Sequence, residues 1–494
     1  MKEEIVELTE DVSSSPLYSE DFAPVPKDKR NWTVTNIAAI WIGMAVCIPT
    51  YMLSSSLINQ GMNWWQAMIT ITLGNVIVLI PMVLNAHVGT KYGIPLPVFL
   101  RLNFGISGSI LASLLRGLVA CGWFGIQTWI GGAAIYQLSL VFLPGLANSP
   151  FLGDFMGINL AQFVCFLIFW VMNIYIIYRG IDSIKLLETW AAPFLLIIGA
   201  CMLGWAWMEV GSMSKILDAS YLLSQQSDVD FWKIFWPNLT AMVGFWATLS
   251  LNIPDFTRYA KSQKDQILGQ ALGLPTTMAF YSFIGIAVTS ATFIIYNEPI
   301  WDPVVLLGKF DSAFVVILSM LGLTIATLST NIAANVVAPA NGIANISPGK
   351  ISFKMGGYIT GIIGILIFPW KLLADPSGYI FTWLIAYSAL LGAIAGVMIS
   401  DYYLVRKTEL DLAALFKPEG PYKGWNTPAW IAFVASILPV VPGFLVVVKL
   451  VDAESVGAFF IELYSYAWFV TFGISLVSYY LLSKYARMFP KSAP

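Results

Sequence analysis

Two pairs of side chains carry most of the chemistry open to this sequence. Trp123-Phe-Gly-Ile-Gln127-Thr-Trp129 and Ser329-Thr330-Asn331-Ile-Ala-Ala-Asn335 each lie inside a run of apolar residues. Trp123 and Gln127 are four residues apart, as are Asn331 and Asn335, so each pair shares one face of a helix. A buried amide is costly unless it is hydrogen-bonded. Gln127, Asn331 and Asn335 must therefore face other helices or a solute. Both readings stay open: amide bonds between helices are common in membrane bundles, and the same groups can bond the edge of a bound molecule. Trp246, just after Gly244, stands at a similar depth in another apolar run. Two facing tryptophans, Trp123 and Trp246, could hold a flat ring by stacking. Taken singly, each could equally be a packing or interfacial residue, in a chain that contains 19 tryptophans.

Helix-breaking residues mark the elements that must position these groups. Gly43 and Pro49 interrupt an apolar run near 37–57, and Gly244 and Pro254 interrupt one near 231–253. Ile48-Pro49-Thr50-Tyr51 and Ile253-Pro254-Asp255-Phe256 share an Ile-Pro-x-aromatic pattern, with the prolines 205 positions apart. Trp123 and Asn331 are 208 apart, a nearly equal shift. The third and eighth apolar runs thus read as counterparts in two five-helix repeats. Paired Gly/Pro-interrupted spans point to the solute site of a secondary transporter, because unwound backbone frees groups that bind an ion or a solute. Such backbone is tolerated only where it lines a cavity or is buried in protein.

The whole chain fits this setting. Of its 494 residues, 58% are hydrophobic and 11% charged, with a mean hydropathy of +0.75. Soluble domains carry about 25% charged residues. Windows of about 20 apolar residues place twelve spans near 35–58, 64–86, 107–137, 158–178, 186–208, 232–252, 267–296, 312–338, 355–373, 378–402, 428–449 and 458–482. The fold class expected is an all-α polytopic membrane protein. Residues 1–30, polar and rich in Glu, Asp, Ser and Pro, read as a disordered tail. The expected organisation continues with a first repeat over 31–210, a second, inverted repeat over 231–408, two further helices over 425–485, and a short tail over 486–494. Nineteen Lys and Arg residues fall on the loops of the N-terminal side against five on the other, namely Lys215, Lys233, Lys309, Lys371 and Lys449. This bias predicts both termini in the cytoplasm and an even number of spans across the cell membrane.

Charge and ligand types narrow the function. No Asp, Glu, Lys or Arg stands near the middle of the first, third, sixth or eighth span; Arg116 and Glu188 lie toward inner ends, and Asp255 and Arg258 follow the second break, where capping or a local ion pair suits them. A charged solute would lack a counter-charge there. A neutral, planar, hydrogen-bonding solute is favoured. Cys47, Cys121, Cys165 and Cys201 have no metal or disulfide spacing and read as small core residues. His87, the one histidine, reads as interfacial. With no cluster of His, Cys or acidic residues, an enzyme is not expected.

Several blocks then resemble a known family. Ala-Ile-Trp41-Ile-Gly43-Met, the Trp123 to Trp129 block, Asn252-Ile-Pro254-Asp255-Phe-Thr-Arg258, Ser329 to Asn335, and Ile-Ser-Asp401-Tyr-Tyr-Leu-Val-Arg406 occur in order. They are similar to the signature blocks of nucleobase:cation symporter family 1, which includes hydantoin, allantoin, uracil and cytosine permeases. The resemblance runs from about Lys29 to Arg487. It implies a leucine-transporter-type fold with twelve transmembrane helices: two inverted five-helix repeats plus two C-terminal helices. It further implies ring binding by Trp123, Gln127, Phe245, Trp246 and Asn335. A sodium site would fall on the carbonyls of Gly43, Val46 and Ala326 and the hydroxyls of Ser329 and Thr330, hard oxygen ligands that suit an alkali cation. Asn331 completes the polar set. Cys47 departs from the pattern, standing where relatives place an Asn or Gln facing the solute. The expected function is cation symport of a nucleobase-like ring by alternating access, with sodium as coupling ion and no other cofactor; proton coupling, or an uncoupled facilitator or channel for the same solutes, is the alternative. A monomer in the bilayer, with no nucleic-acid partner, is expected.

Overall fold

The computed structural model describes residues 5–179, 182–227, 229–348, 350–374 and 378–488, without the side chains of 182–192, 379–381 and 486–488. Of the expected tail over 486–494, residues 486–488 continue the last helix, and residues 489–494, like the side chain of Glu188, lie outside the described residues. In chain order the helices begin with α1 (Val34–Ala45), α2 (Ile48–Asn59), α3 (Trp64–Tyr92), α4 (Leu96–Phe104), α5 (Ile106–Phe142), α6 (Leu160–Arg179) and α7 (Asp182–Val210). The middle of the chain forms α8 (Met213–Gln226), α9 (Phe231–Asn252), α10 (Pro254–Thr257), α11 (Gln263–Tyr296), α12 (Pro303–Gly308), α13 (Ala313–Asn335) and α14 (Val337–Ala344). The remainder is α15 (Phe353–Leu366), α16 (Pro369–Leu372), α17 (Ala386–Ile399), α18 (Thr427–Ile437), α19 (Val441–Val447), α20 (Ala458–Tyr464) and α21 (Ala467–Met488). Wider π turns, Gly378–Ile385 and Ser400–Val405, flank α17.

Among the described residues, nine helical segments are long and apolar enough to cross a membrane, and the bent pairs α1/α2 and α20/α21 raise that to eleven. The shorter apolar α15 occupies the place of the expected ninth span. Burial sorts them. The most apolar stretch of α9 is 89% buried, against 28% for Thr427–Val447, so α9 lies at the centre and the C-terminal helices at the rim. Around α9 stand α3, α5 and α17, and α13 lies against α5.

The two interruptions are built differently. Between α1 and α2 the axis turns by 59°, and Pro49 enters α2 in its first turn, where a missing N–H costs nothing. α9, in contrast, runs unbroken through Gly244, which the sequence marked as part of the second break. The interruption comes only at Ile253, where Pro254 starts α10. Gly244 serves close approach instead. A Cβ there would come within 2.9 Å of Leu384 O and of Ser388 Cβ.

Residues 5–30 also depart from expectation. Their polar composition reads as disorder, yet arginines bind their backbone and anchor them. Arg30 is buried and donates to the carbonyls of Val25, Thr90, Lys91 and Val6 at 2.8–3.3 Å. Arg101 donates to Leu17 O and Arg258 to Asp21 O. Phe22 is buried, with the Arg101 guanidinium 5.7 Å from its ring centre. Cys47, Cys121 and Cys165 are buried as expected, whereas Cys201 is exposed. His87 is half-buried, its Nδ1 2.9 Å from Tyr402 Oη.

Candidate functional site

A cavity of about 40 Å³ opens where α1 breaks, bounded by α5, α9 and α13. Met44, Cys47 and Pro49 come from the break, Trp123 and Gln127 from α5, Phe245, Trp246, Thr248 and Leu249 from α9, and Thr330, Ala334 and Asn335 from α13. None of these residues carries a formal charge. Helical spacing explains the set: Trp123 and Gln127 are one turn apart on α5, and Phe245 and Leu249 repeat that step on α9.

The walls are aromatic. Phe245 meets Trp123 edge to face at 5.2 Å and Trp246 at 5.1 Å, and Trp41 backs Trp246 at 5.3 Å. Trp123 Nε1 lies 3.3 Å from Tyr387 Oη, whose hydroxyl donates to Gly244 O at 2.9 Å. The tenth span thereby ties the tryptophan of α5 to the backbone of α9. Two polar atoms of the lining are left idle. Gln127 Oε1 and Trp246 Nε1 are buried without a hydrogen-bond partner. Leaving such a group unpaired costs about 1–3 kcal/mol. One is an acceptor and the other a donor.

The four amides divide by role. Asn331 is absent from the cavity lining: its Nδ2 lies 3.2 Å from each of Phe124 O, Thr128 Oγ1 and Asn173 Oδ1. It joins α13 to α5 and α6. This is the helix-to-helix reading, and Asn331 is a correction to the expected solute set. Its Oδ1 accepts from Asn335 Nδ2 at 3.0 Å, which orients the Asn335 amide beside the cavity. Asn173, in α6, was not singled out in the sequence, although one amide inside an apolar run is the same signal that flagged Asn331.

The expected sodium ligands are only partly gathered. Thr330 lines the cavity together with Met44 and Cys47, and Ser329 and Ala326 are buried in α13. Val46 N, Cys47 N, Thr50 N and Tyr51 N close the break onto Ile42 O, Ala45 O and Cys47 O. The carbonyls of Gly43 and Val46 accept none of these bonds. Thr330 Oγ1 donates to Ala326 O at 3.0 Å, which leaves the lone pairs of the hydroxyl oxygen free to face a cation, whereas Ala326 O, in the middle of α13, is already an acceptor. Cys47 lies at the start of α2 with Sγ 3.3 Å from Thr50 Oγ1.

Asp255 lies outside the lining. Its Oδ1 accepts from Leu96 N at 2.7 Å, which caps α4. Burial raises its pKa above the ordinary value for an aspartate, while the Leu96 N–H and the charge of Arg258 pull the other way.

The chain is 43% identical over 474 residues to the purine-uracil permease NCS1 of Arabidopsis thaliana, covering 94% of this chain and 78% of that one. It is 38% identical over 478 residues to the allantoin permease of Bacillus subtilis, covering 95% and 94%. In fold it is similar to Mhp1, a nucleobase-cation-symport-1 family transporter solved in a closed conformation with bromovinylhydantoin bound. The TM-score is 0.73 at 23% identity, with 96% of this chain and 97% of that chain covered. A Na+-coupled sialic acid symporter shares the fold more distantly, with a TM-score of 0.56 at 13% identity over 91% and 90% of the two chains. The architecture is the leucine-transporter type, two inverted five-helix repeats with two added C-terminal helices. Residues 24–471 match the family of permeases for cytosine/purines, uracil, thiamine and allantoin, and the chain belongs to that family.

Proposed function

We propose that the protein is a secondary active importer, a cation symporter that takes up a neutral planar nucleobase or related ring such as uracil, allantoin or a hydantoin. The observation that carries this reading is the pair of idle groups in an aromatic-walled, uncharged cavity. Gln127 Oε1 can accept from a ring N–H, and Trp246 Nε1 can donate to a ring carbonyl. Trp123 and Phe245 supply faces and edges for the ring, and Asn335 a further amide. Of the ligands in the relatives' names, uracil and allantoin present N–H and C=O groups, and a purine presents a ring N–H and ring-nitrogen acceptors, on a flat or nearly flat ring.

Sodium is the proposed coupling ion. The break at Val46–Cys47 leaves carbonyls outside the helical bonding, and Thr330 brings its hydroxyl to the same cavity. Carbonyl and hydroxyl oxygens suit a hard cation. The positive-inside bias supports a cell-membrane protein with both termini in the cytoplasm, and we read it as acting as a monomer.

Uptake into proteoliposomes tests both parts. A radiolabelled panel of uracil, allantoin, hydantoins, cytosine and purines should show accumulation of one ring class that a sodium gradient drives and a sodium ionophore abolishes. Equilibration without accumulation indicates a facilitator. Uptake indifferent to sodium but abolished when the pH gradient is dissipated indicates proton coupling.

A further inference from the structure

Arg116 lies in α5, seven residues before Trp123, and is 2% exposed. Seven residues are two helical turns, about 10 Å along the axis on the same face. Asn252 ends α9, seven residues after Phe245, and is also 2% exposed. The two helices that wall the cavity therefore meet again two turns away. There Arg116 Nη2 donates to Asn252 Oδ1 at 2.6 Å. α5 begins at Ile106, whose N–H bonds Tyr422 O on the loop face. The contact thus stands between the cavity and the face assigned to the cytoplasm.

That one bond leaves the guanidinium largely unspent. Arg116 Nε and Nη1 are buried with no partner. A charged side chain inside a membrane bundle is expensive, and by default it marks a solute or ion path. Asp255, the acid whose charge reaches it, is already committed to the α4 cap. A guanidinium presents five N–H donors and no acceptor. Its complement is an acceptor-rich group, and the carbonyls of a nucleobase-like ring supply that without a net charge.

We propose that Arg116 is a second, inner binding station for the transported ring, screened by Asn252 while the path is closed. This rests on the ring-import reading. Separation of α9 from α5 at the inner side breaks the Arg116–Asn252 bond. The freed N–H groups then receive the ring carbonyl as the solute leaves the aromatic cavity. Asn252 sets the cover and Arg116 supplies the donors.

The test compares binding with transport in the full-length protein, using radiolabelled uracil or allantoin, whichever the wild type retains. Arg116→Met should bind within a few-fold of wild type at equilibrium, because the cavity is untouched. Its net uptake should fall about tenfold or more, the scale of losing bonds to a charged donor. Arg116→Lys, which restores a donor, should recover part of that rate. Asn252→Ala, which uncovers the guanidinium, should raise solute release from preloaded vesicles. Wild-type uptake in Arg116→Met overturns the station. If Arg116→Met fails to fold, release from Asn252→Ala decides, and an unchanged or slower rate overturns the proposal. A wild type that binds none of the ring panel defeats the ring-import reading itself, which is a separate result.

Discussion

Replacing Gln127 by Leu should leave the fold intact and weaken the ring. Gln127 Oε1 is buried without a partner in the protein, so the amide contributes to packing but carries an unmet desolvation cost. Leucine fills nearly the same volume and removes the orphan acceptor. Stability should therefore be unchanged or raised. In the complex the balance reverses, because a ring N–H that had bonded Gln127 now faces a methyl group. An unpaired buried donor costs about 1–3 kcal/mol, which is roughly 5- to 150-fold in dissociation constant. Asn331→Leu is the control. Its Nδ2 has three acceptors at 3.2 Å on α5 and α6, so its removal should lower the melting temperature and expression. Thermal unfolding in detergent read beside equilibrium binding separates the two cases. A folded Gln127→Leu with wild-type affinity refutes the assignment, as does one that unfolds as readily as Asn331→Leu.

Three further outcomes follow from the same contacts. Trp123→Ala and Trp246→Ala should each weaken ring binding at least several-fold in protein that still folds, since an aromatic pair adds about 0.5–1.5 kcal/mol beyond buried area; near-wild-type affinity in both would discard the aromatic clamp. If sodium is coupled, ring affinity should rise with sodium, because coupling free energy is reciprocal, and Thr330→Ala should blunt that rise more than it lowers sodium-free binding in a titration run at both extremes. Arg30→Ala removes a buried guanidinium bonded to four carbonyls and should cost at least ~1.5 kcal/mol, read as a lower melting temperature and faster proteolysis within residues 5–29.

Apolar runs and paired amides made most of this legible in the sequence, because lipid imposes one rule on every residue. A span must be apolar, so its polar residues stand out. That rule located Trp123, Gln127, Asn331 and Asn335, but it could not say which amide meets a solute. Asn331 and Asn335 are one turn apart on α13, and only their neighbours separate them: Asn331 faces α5 and α6, while Asn335 reaches the cavity. Thr248, Leu249 and Met44 were missed because nothing in their types distinguishes them from ordinary span residues. Residues 5–30 were misread for the opposite reason. Composition reports what a segment can bury by itself, whereas this one is held by Arg101 and Arg258 from elsewhere in the chain and by its own Arg30.

The unequal breaks assign different work to the two repeats. Pro49 and Pro254 each begin a helical piece, as their shared pattern implies, yet only the first break lies at the depth of the cavity. α1 thus contributes backbone there, with the Gly43 and Val46 carbonyls outside the closing bonds. α9 arrives as intact helix and contributes side chains, Phe245, Trp246, Thr248 and Leu249. Backbone carbonyls are alike in every sequence and suit an ion, whose identity need not vary among relatives. Side chains change with each substitution and suit a solute, which differs among the named relatives from purine and uracil to allantoin. Cys47 sits at the seam between the two. It is a side chain on the backbone-donating element, and its thiol is 3.3 Å from Thr50 Oγ1. Under the proposed ring-import reading, a thiol there would leave hydrogen-bond recognition of the ring to Gln127, Trp246 and Asn335, the polar side chains that α5, α9 and α13 bring to the cavity opposite the break.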